Sequence, residues 1–229
     1  MGGHGGASAG SRFGAGFRLL LAAASLSGVL LNFLAPGGSP SGRWNLFAYF
    51  TIQSNLLVSL ALILVGLGDL RGKPPLPKLE LFRDATRLWI WMTGLAFHFL
   101  LSALWHPQGL AGIANILLHY VTPLGVLAEW LLLPRRGVYR LSAAWLWVAY
   151  PLAYVAFSLA RGALSGFYPY WFLNPTKSMP DGVGSLGGVL VWAGLLAFGF
   201  FLLGLAATGV DALRLRLRRR LSRRGEASS

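Results

Sequence analysis

The sequence contains no cysteine and few charged residues. Without cysteine the chain forms neither disulfide bonds nor thiolate metal sites, and it has no cysteine nucleophile. Charged residues make up 12% of its 229 positions, against about 25% in soluble domains, and 55% of the residues are hydrophobic. Because a soluble fold has little use for so much apolar surface, the composition predicts an integral membrane protein with one helical bundle and no sizeable soluble domain.

Acidic residues are also scarce, seven against twenty lysines and arginines, which gives a formal net charge of +13. Most of the basic residues lie just beyond apolar segments, where they set membrane topology rather than bind nucleic acid. The charge therefore favours membrane lipids as partners and argues against nucleic acid. It says nothing about the oligomeric state.

Six apolar segments follow one another along the chain, separated by Pro- and Gly-rich stretches, at residues 15–34, 46–68, 88–105, 112–133, 141–160 and 186–210. Each approaches the roughly 20 residues that a spanning helix needs. We therefore predict an all-α polytopic membrane protein in which six transmembrane helices form one bundle over residues 15–210. Residues 1–14 are rich in Gly and Ala and predicted to be disordered. Residues 211–229 are predicted to form a basic cytoplasmic tail that continues the last helix.

Lysine and arginine are distributed unevenly about these six segments. If both termini lie in the cytoplasm, seventeen of the twenty basic residues fall on the cytoplasmic side, as the positive-inside rule requires. The sequence therefore predicts a multi-pass protein of the plasma membrane with cytoplasmic termini. In this topology Glu129 lies in the cytoplasmic half near Trp130 and the Arg135–Arg136 pair, and we interpret it as an interfacial anchor.

The second segment carries an unusual polar load for a membrane helix. At 3.6 residues per turn, four polar side chains share one of its faces, those of Thr51, Ser54, Asn55 and Ser59. Polar groups in hydrocarbon need partners, so this face is expected to point into the bundle. It serves there either as helix–helix contact or as part of a site.

Polar residues on three further segments reach the same depth in the outer half of the bilayer. Thr51 is expected about 8 Å below the outer end of its segment, and His98 and His119 about 10 Å below the ends of theirs. The fifth segment adds polar side chains at helical spacing, those of Tyr150, Tyr154, Ser158 and Arg161. We predict that these residues line one outer-leaflet site.

His119 has two neighbours that favour a functional role. Pro123 lacks an N–H, so the carbonyl of His119 loses its helical partner and the helix is expected to kink beside the imidazole. Asn115 lies one turn earlier on the same face and is a candidate to orient the ring. The alternative is a neutral histidine that is hydrogen-bonded between helices.

The loop after the fifth segment, residues 161–175, is dense in aromatic residues and proline. It is interpreted as an interfacial aromatic belt, a lid over the polar layer that includes Tyr168, or both. The run Gly182–Gly187 fits the dinucleotide pattern G-x-G-x-x-G, but no strand precedes it and a membrane helix follows, so it predicts no nucleotide site.

The polar layer contains the elements of an ester hydrolase. A threonine hydroxyl is a poor nucleophile unless a neighbour takes its proton, and a desolvated neutral histidine can act as that base. Thr51 and His119 are therefore candidate nucleophile and base, with Asn55 as a candidate donor to the oxyanion. Such a site suits a hydrophobic ester whose acyl chains lie in the membrane. It requires neither a cofactor nor a metal.

Several motifs resemble those of the androgen-induced protein family: Gly42-Arg-Trp to Thr51, Thr-x-Gln-Ser-Asn at Thr51–Asn55, Leu118-His119 through Pro123 to Ala128-Glu129, and Gly166-Phe-Tyr-Pro-Tyr170. The resemblance runs from about residue 15 to 205 and is closer to the bacterial branch. The family consists of six-span membrane proteins, and its animal members are threonine hydrolases that cleave fatty acid esters of hydroxy fatty acids. The resemblance thus implies Thr51 as nucleophile and His119 as its partner, with lipid metabolism as the setting.

Two other functions remain open at this point. A six-helix bundle can hold haem between two histidines, and His98 and His119 lie on adjacent segments at one depth. A non-enzymatic carrier, channel or scaffold is the third class, although the segments contain no acidic residue except Glu129.

Overall fold

The computed structural model describes residues 9–35, 40–73, 75–133 and 141–226, and within these ranges the chain is helical without any strand. The all-α prediction is confirmed for this part of the chain. Six long helices follow in order: α1 (Ala9–Leu34), α2 (Phe50–Leu70), α3 (Pro77–Ala96), α4 (Gly109–Leu132), α5 (Ala144–Ser165) and α6 (Leu186–Glu226). Two π-helical turns interrupt the regular geometry, Phe97–Leu101 directly after α3 and Leu117–Val121 within α4.

Five of the six helices are long and apolar enough to cross a membrane: α1, α2, α4, α5 and α6. This number of apolar helices is compatible with an integral membrane protein. The prediction of six spans is not confirmed, because the first half of α3 carries several charged residues, namely Lys78, Glu80, Arg83, Asp84 and Arg87.

Helices α1 to α4 pack around a common core, and α5 and α6 pair with each other against α3. Apolar side chains from all these helices meet in the core, among them Leu21, Val58, Leu88, Val126, Trp147 and Ala207. The polar face of α2 is buried in this bundle, as predicted: Thr51, Ser54, Asn55 and Ser59 all lie inside. Helix packing in a membrane depends on such close fits and interhelical hydrogen bonds.

Glu129 is the centre of a buried ionic cluster and not an interfacial anchor. Its carboxylate accepts hydrogen bonds from Arg18 of α1 at 2.6 Å and from Arg87 of α3 at 2.5 Å, and it is 1% exposed. Arg18 also pairs with Asp69 of α2, which brings a fourth helix into the cluster. The interpretation as an anchor was wrong because it considered only chain neighbours, and Arg135 and Arg136 lie outside the described residues.

Several helix boundaries differ from the predicted ones. Helix α2 begins at Phe50 and not at residue 46, because Asn45–Ala48 form a 3₁₀ turn and Tyr49 is extended. Thr51 therefore lies in the first turn of α2, closer to its end than the predicted 8 Å. Helix α1 begins at Ala9, inside the stretch that was predicted to be disordered, while residues 1–8 lie outside the described part. Helix α6 continues through the basic tail to Glu226, as predicted.

Candidate active site

Thr51 and His119 are hydrogen-bonded at the end of the bundle where α2 begins. The Thr51 Oγ1 atom lies 3.2 Å from Nε2 of His119, and both residues are buried. They are 68 positions apart in the sequence and stand on α2 and α4. The bundle thus brings together the two residues that were predicted as nucleophile and base.

The start of α2 explains the setting of Thr51. Amides in the first turn of a helix have no intrahelical partner. The amide of Thr51 donates instead to the hydroxyl oxygen of Tyr170, at 3.2 Å, and the same hydroxyl lies 3.3 Å from Thr51 Oγ1. Tyr170 therefore contacts both the backbone and the side chain of Thr51.

The hydrogen bond of the second ring nitrogen of His119 determines which tautomer a neutral ring adopts. Nδ1 lies 3.2 Å from the carbonyl oxygen of Asn115, an atom that can only accept a hydrogen bond. The proton of a neutral ring is therefore on Nδ1, which leaves Nε2 as the acceptor for the Thr51 hydroxyl. Asn115 does orient the ring, but through its backbone and not through the side chain, whose Oδ1 atom is buried without a partner.

A π-helical turn and a glycine place His119 against its neighbours. His119 lies in the π turn Leu117–Val121, which ends two residues before Pro123. The Cα of Gly94 in α3 packs so closely here that a Cβ would stand 3.0 Å from the His119 carbonyl oxygen. On the ring itself, Phe97 stacks with a centroid distance of 3.9 Å. The imidazole is therefore held by its hydrogen bonds and by an aromatic face.

Tyr170 is the residue of this site that sequence reasoning missed. The prediction named Tyr168 from the same loop, but the Tyr168 ring packs against Gly162, where a Cβ would stand only 2.1 Å from it. Burial raises the pKa of Tyr170 to about 12, although hydrogen bonds from Thr51 oppose this rise. Tyr170 is therefore a neutral phenol near pH 7 and can donate a hydrogen bond.

Asn55 orients the site and is not free to bind an oxyanion. Its amide nitrogen donates to the carbonyl of Thr51 at 2.8 Å and to that of Leu118 at 3.3 Å, which uses both N–H groups. Its amide oxygen accepts from Ser25 at 2.8 Å. Asn55 thus joins α1, α2 and the π turn of α4 one residue before His119, and of the two predicted roles, oxyanion donor or orienting residue, these bonds favour the orienting one.

Three further predicted residues bond around the pair. Ser54 donates to the carbonyl oxygen of Thr51 at 3.1 Å and also bonds to Thr93 of α3 at 2.9 Å. Tyr150 bonds to Gln53 at 2.5 Å, and Tyr154 to the carbonyl of Ala48 at 2.9 Å. These bonds join α2 and its entry turn to α3 and α5.

Two other predicted lining residues, His98 and Arg161, face different neighbours. The His98 ring is exposed, with Nδ1 3.4 Å from the Tyr120 hydroxyl. Arg161 donates to Asn45 at 2.6 Å and lies over the ring of Phe167. Neither side chain contacts Thr51, so the polar layer divides into separate groups.

Thr51 lies between two cavities of different character. The outer cavity has a volume of about 590 Å³ and is lined by both members of the pair and by polar residues that include Asn32 and Asp181. The inner cavity, of about 70 Å³, extends between α2, α3, α5 and α6 and is lined almost entirely by apolar side chains. His119 lines the outer cavity and not the inner one.

This arrangement suits acid–base chemistry on a hydroxyl better than ligation of an iron. Both ring nitrogens of His119 already have protein partners, so haem ligation would break the contact with Thr51 or with Asn115. Among the residues that the structure describes, no group of three metal-binding side chains occurs. In comparisons with known proteins, no family model, no curated protein and no solved structure matches this chain.

Proposed function

We propose that this protein is a membrane-embedded lipid-ester hydrolase with Thr51 as nucleophile and His119 as general base. The observation that carries the proposal is the 3.2 Å contact between Thr51 Oγ1 and His119 Nε2, with the histidine tautomer set by Asn115. A nucleophile activated by an oriented base is the usual arrangement for acyl transfer through a hydroxyl. The resemblance to the androgen-induced protein family implies the same two residues.

The proposed reaction has two halves. In the first, Thr51 Oγ attacks the ester carbonyl carbon and its proton passes to Nε2 of His119. The tetrahedral intermediate then collapses, the alcohol leaves with that proton, and the acyl group remains on Thr51. In the second half a water molecule attacks the acyl carbon while His119 takes its proton. Collapse returns the proton to Thr51 and releases the fatty acid.

Tyr170 supports this reaction as a donor to the oxyanion. Its hydroxyl already contacts Thr51 Oγ1 at 3.3 Å and the Thr51 amide at 3.2 Å. When the carbonyl oxygen becomes negatively charged beside Thr51, the Tyr170 O–H is at hand to donate to it, while the Thr51 N–H holds the Tyr170 oxygen in place. The positive end of the α2 dipole adds to this stabilisation.

The membrane topology is part of the proposal. From Pro77 to Leu101, α3 and its π turn cover twenty-five residues, roughly 37 Å at 1.5 Å per residue, enough to cross a bilayer. The charges of Arg83 and Arg87 are paired within the bundle, so they are not exposed to lipid. With α3 as the sixth span and the termini in the cytoplasm, the basic residues concentrate on the cytoplasmic side of the plasma membrane, and the site faces the outer leaflet.

Turnover of a long-chain ester by detergent-purified protein tests the proposal. Wild type and Thr51→Ser retain a hydroxyl and are expected to hydrolyse the ester, whereas Thr51→Ala and His119→Ala lose at least about 10³-fold in rate. Thermal unfolding of each variant provides the control for folding. Equal rates in folded Thr51→Ala and wild type, or no hydrolysis by any of them, would refute the proposal.

A further inference from the structure

We propose that the inner cavity holds the acyl chain of the ester and the outer cavity its alcohol portion, so that the inner cavity selects acyl length. This inference rests on the proposed function and assigns the two sides of its substrate. The starting observation is that Thr51 lines both cavities, whereas His119 lines only the outer one of these two.

The position of His119 determines which side of the ester lies where. The departing alcohol oxygen takes its proton from Nε2, and the water of the second half gives its proton to the same atom. Both must therefore approach from a cavity that Thr51 and His119 line together. His119 also lines a third cavity, of about 500 Å³ between α3, α4 and α6, but Thr51 does not line that one. The cavity that both residues line is the outer one. The substituent on the other side of the carbonyl carbon, the acyl chain, is left to extend into the inner cavity.

The inner cavity is lined by carbon atoms, with almost no polar groups. Apart from Thr51 and Tyr170, which bond to each other in the site, two hydroxyls occur in the lining, and both are bonded to other groups. Thr93 bonds to Ser54 and to the carbonyl of Trp89, and Tyr154 to the carbonyl of Ala48. A cavity whose polar atoms are all satisfied offers nothing to water, and apolar cavities remain dry. Such a space favours a hydrocarbon chain.

Small and large side chains set the extent of this space. Ala96 of α3 and Ala193 and Ala197 of α6 leave the space open, whereas Met92 and Phe200 lie about one turn deeper and form its floor. The volume of about 70 Å³ is several times the roughly 10–15 Å³ that one water needs. It suits a short row of methylene groups, and the flexible side chain of Met92 can admit a longer chain.

Two isomeric esters test the assignment. Ethyl octanoate and octyl acetate differ only in which side of the ester carries the eight-carbon chain. The wild type is expected to hydrolyse ethyl octanoate at least tenfold faster, and Ala197→Phe, which fills the inner cavity, is expected to abolish that preference. The matched control is Leu195→Phe on the exposed side of the same helix, which should leave the ratio of the two rates unchanged. A preference for octyl acetate, or a ratio that Ala197→Phe does not change, would overturn the inference.

A readout that does not depend on turnover separates this inference from the proposed function. Octanoic acid with a terminal diazirine should crosslink, in wild type and in Thr51→Ala, to the peptides that contain Met92 or Phe200. Ala197→Phe should abolish these crosslinks. Crosslinks in the inner cavity without any hydrolysis would support an acyl site and refute the enzyme. Crosslinks confined to exposed positions such as Leu195 would refute the acyl site.

Discussion

Gly94 of α3 packs directly against the carbonyl oxygen of His119 in α4. A Cβ at position 94 would stand 3.0 Å from that oxygen and equally close to Cβ of Pro123. Regular α-helical geometry alone does not position the imidazole, because His119 lies in a π turn, where backbone hydrogen bonds join residues five positions apart and not four. The close approach of α3 therefore helps to hold the ring 3.2 Å from Thr51.

Gly94→Ala is expected to lower the rate of ester hydrolysis by about tenfold or more. The added methyl group must displace the His119 backbone by a few tenths of an ångström, and small misplacements of a catalytic group cost large factors in rate. The control is Gly194→Ala on α6, where a Cβ meets nothing within 4 Å. An unchanged rate in Gly94→Ala would show that the proposed base does not depend on this contact.

Tyr170→Phe is expected to reduce kcat by about 10²-fold, the usual effect of removing one oxyanion donor. The aromatic ring remains, so binding of the ester and folding should change little. Tyr168→Phe is the matched control two residues away, since its ring packs against Gly162 and not against Thr51. Comparison of kcat for the two variants checks the role, and equal effects at the two positions would contradict it.

Glu129→Gln is expected to destabilise the bundle by about 3–5 kcal/mol, because it leaves Arg18 and Arg87 buried beside a neutral partner. For a chain of this length such a loss lowers Tm by roughly 6–20 °C. Thermal unfolding in detergent measures the shift. Asp181→Asn, at an exposed carboxylate, should shift Tm by no more than about 2 °C, and a similarly small shift for Glu129→Gln would contradict a structural role for the cluster.

Local periodicity was sufficient to predict much of the bundle. The helical period of 3.6 residues correctly predicted that Thr51, Ser54 and Asn55 face the interior of the bundle, because burial of one helix face depends mainly on spacing. The lengths of the apolar segments were sufficient to predict the positions of all six helices. Helix α3, however, begins eleven residues earlier than predicted, because its first turns are charged and do not form part of an apolar segment. Pro123 indicated an irregular helix beside His119, but a missing N–H does not distinguish a kink from a π turn.

The contacts that depend on the third dimension could not be predicted. Tyr168 and Tyr170 lie in the same aromatic loop, which has no helical periodicity. The local sequence therefore gave no reason to choose Tyr170 over Tyr168 as the tyrosine that contacts Thr51. The signal that was available is Gly162, one turn before the end of α5, whose missing side chain leaves room for the Tyr168 ring. The partners of Glu129 lie 42 and 111 positions away, beyond the reach of any local pattern.

The most direct test of the central claim is the detection of an acyl group on Thr51. Wild-type protein and Thr51→Ser are mixed with a long-chain ester, quenched with acid during turnover, digested and analysed by mass spectrometry. The account predicts an ester-linked acyl group on residue 51 in both proteins, and none on the same peptide of Thr51→Ala. Turnover by the wild type without acylation of Thr51, or undiminished turnover by Thr51→Ala, would contradict it.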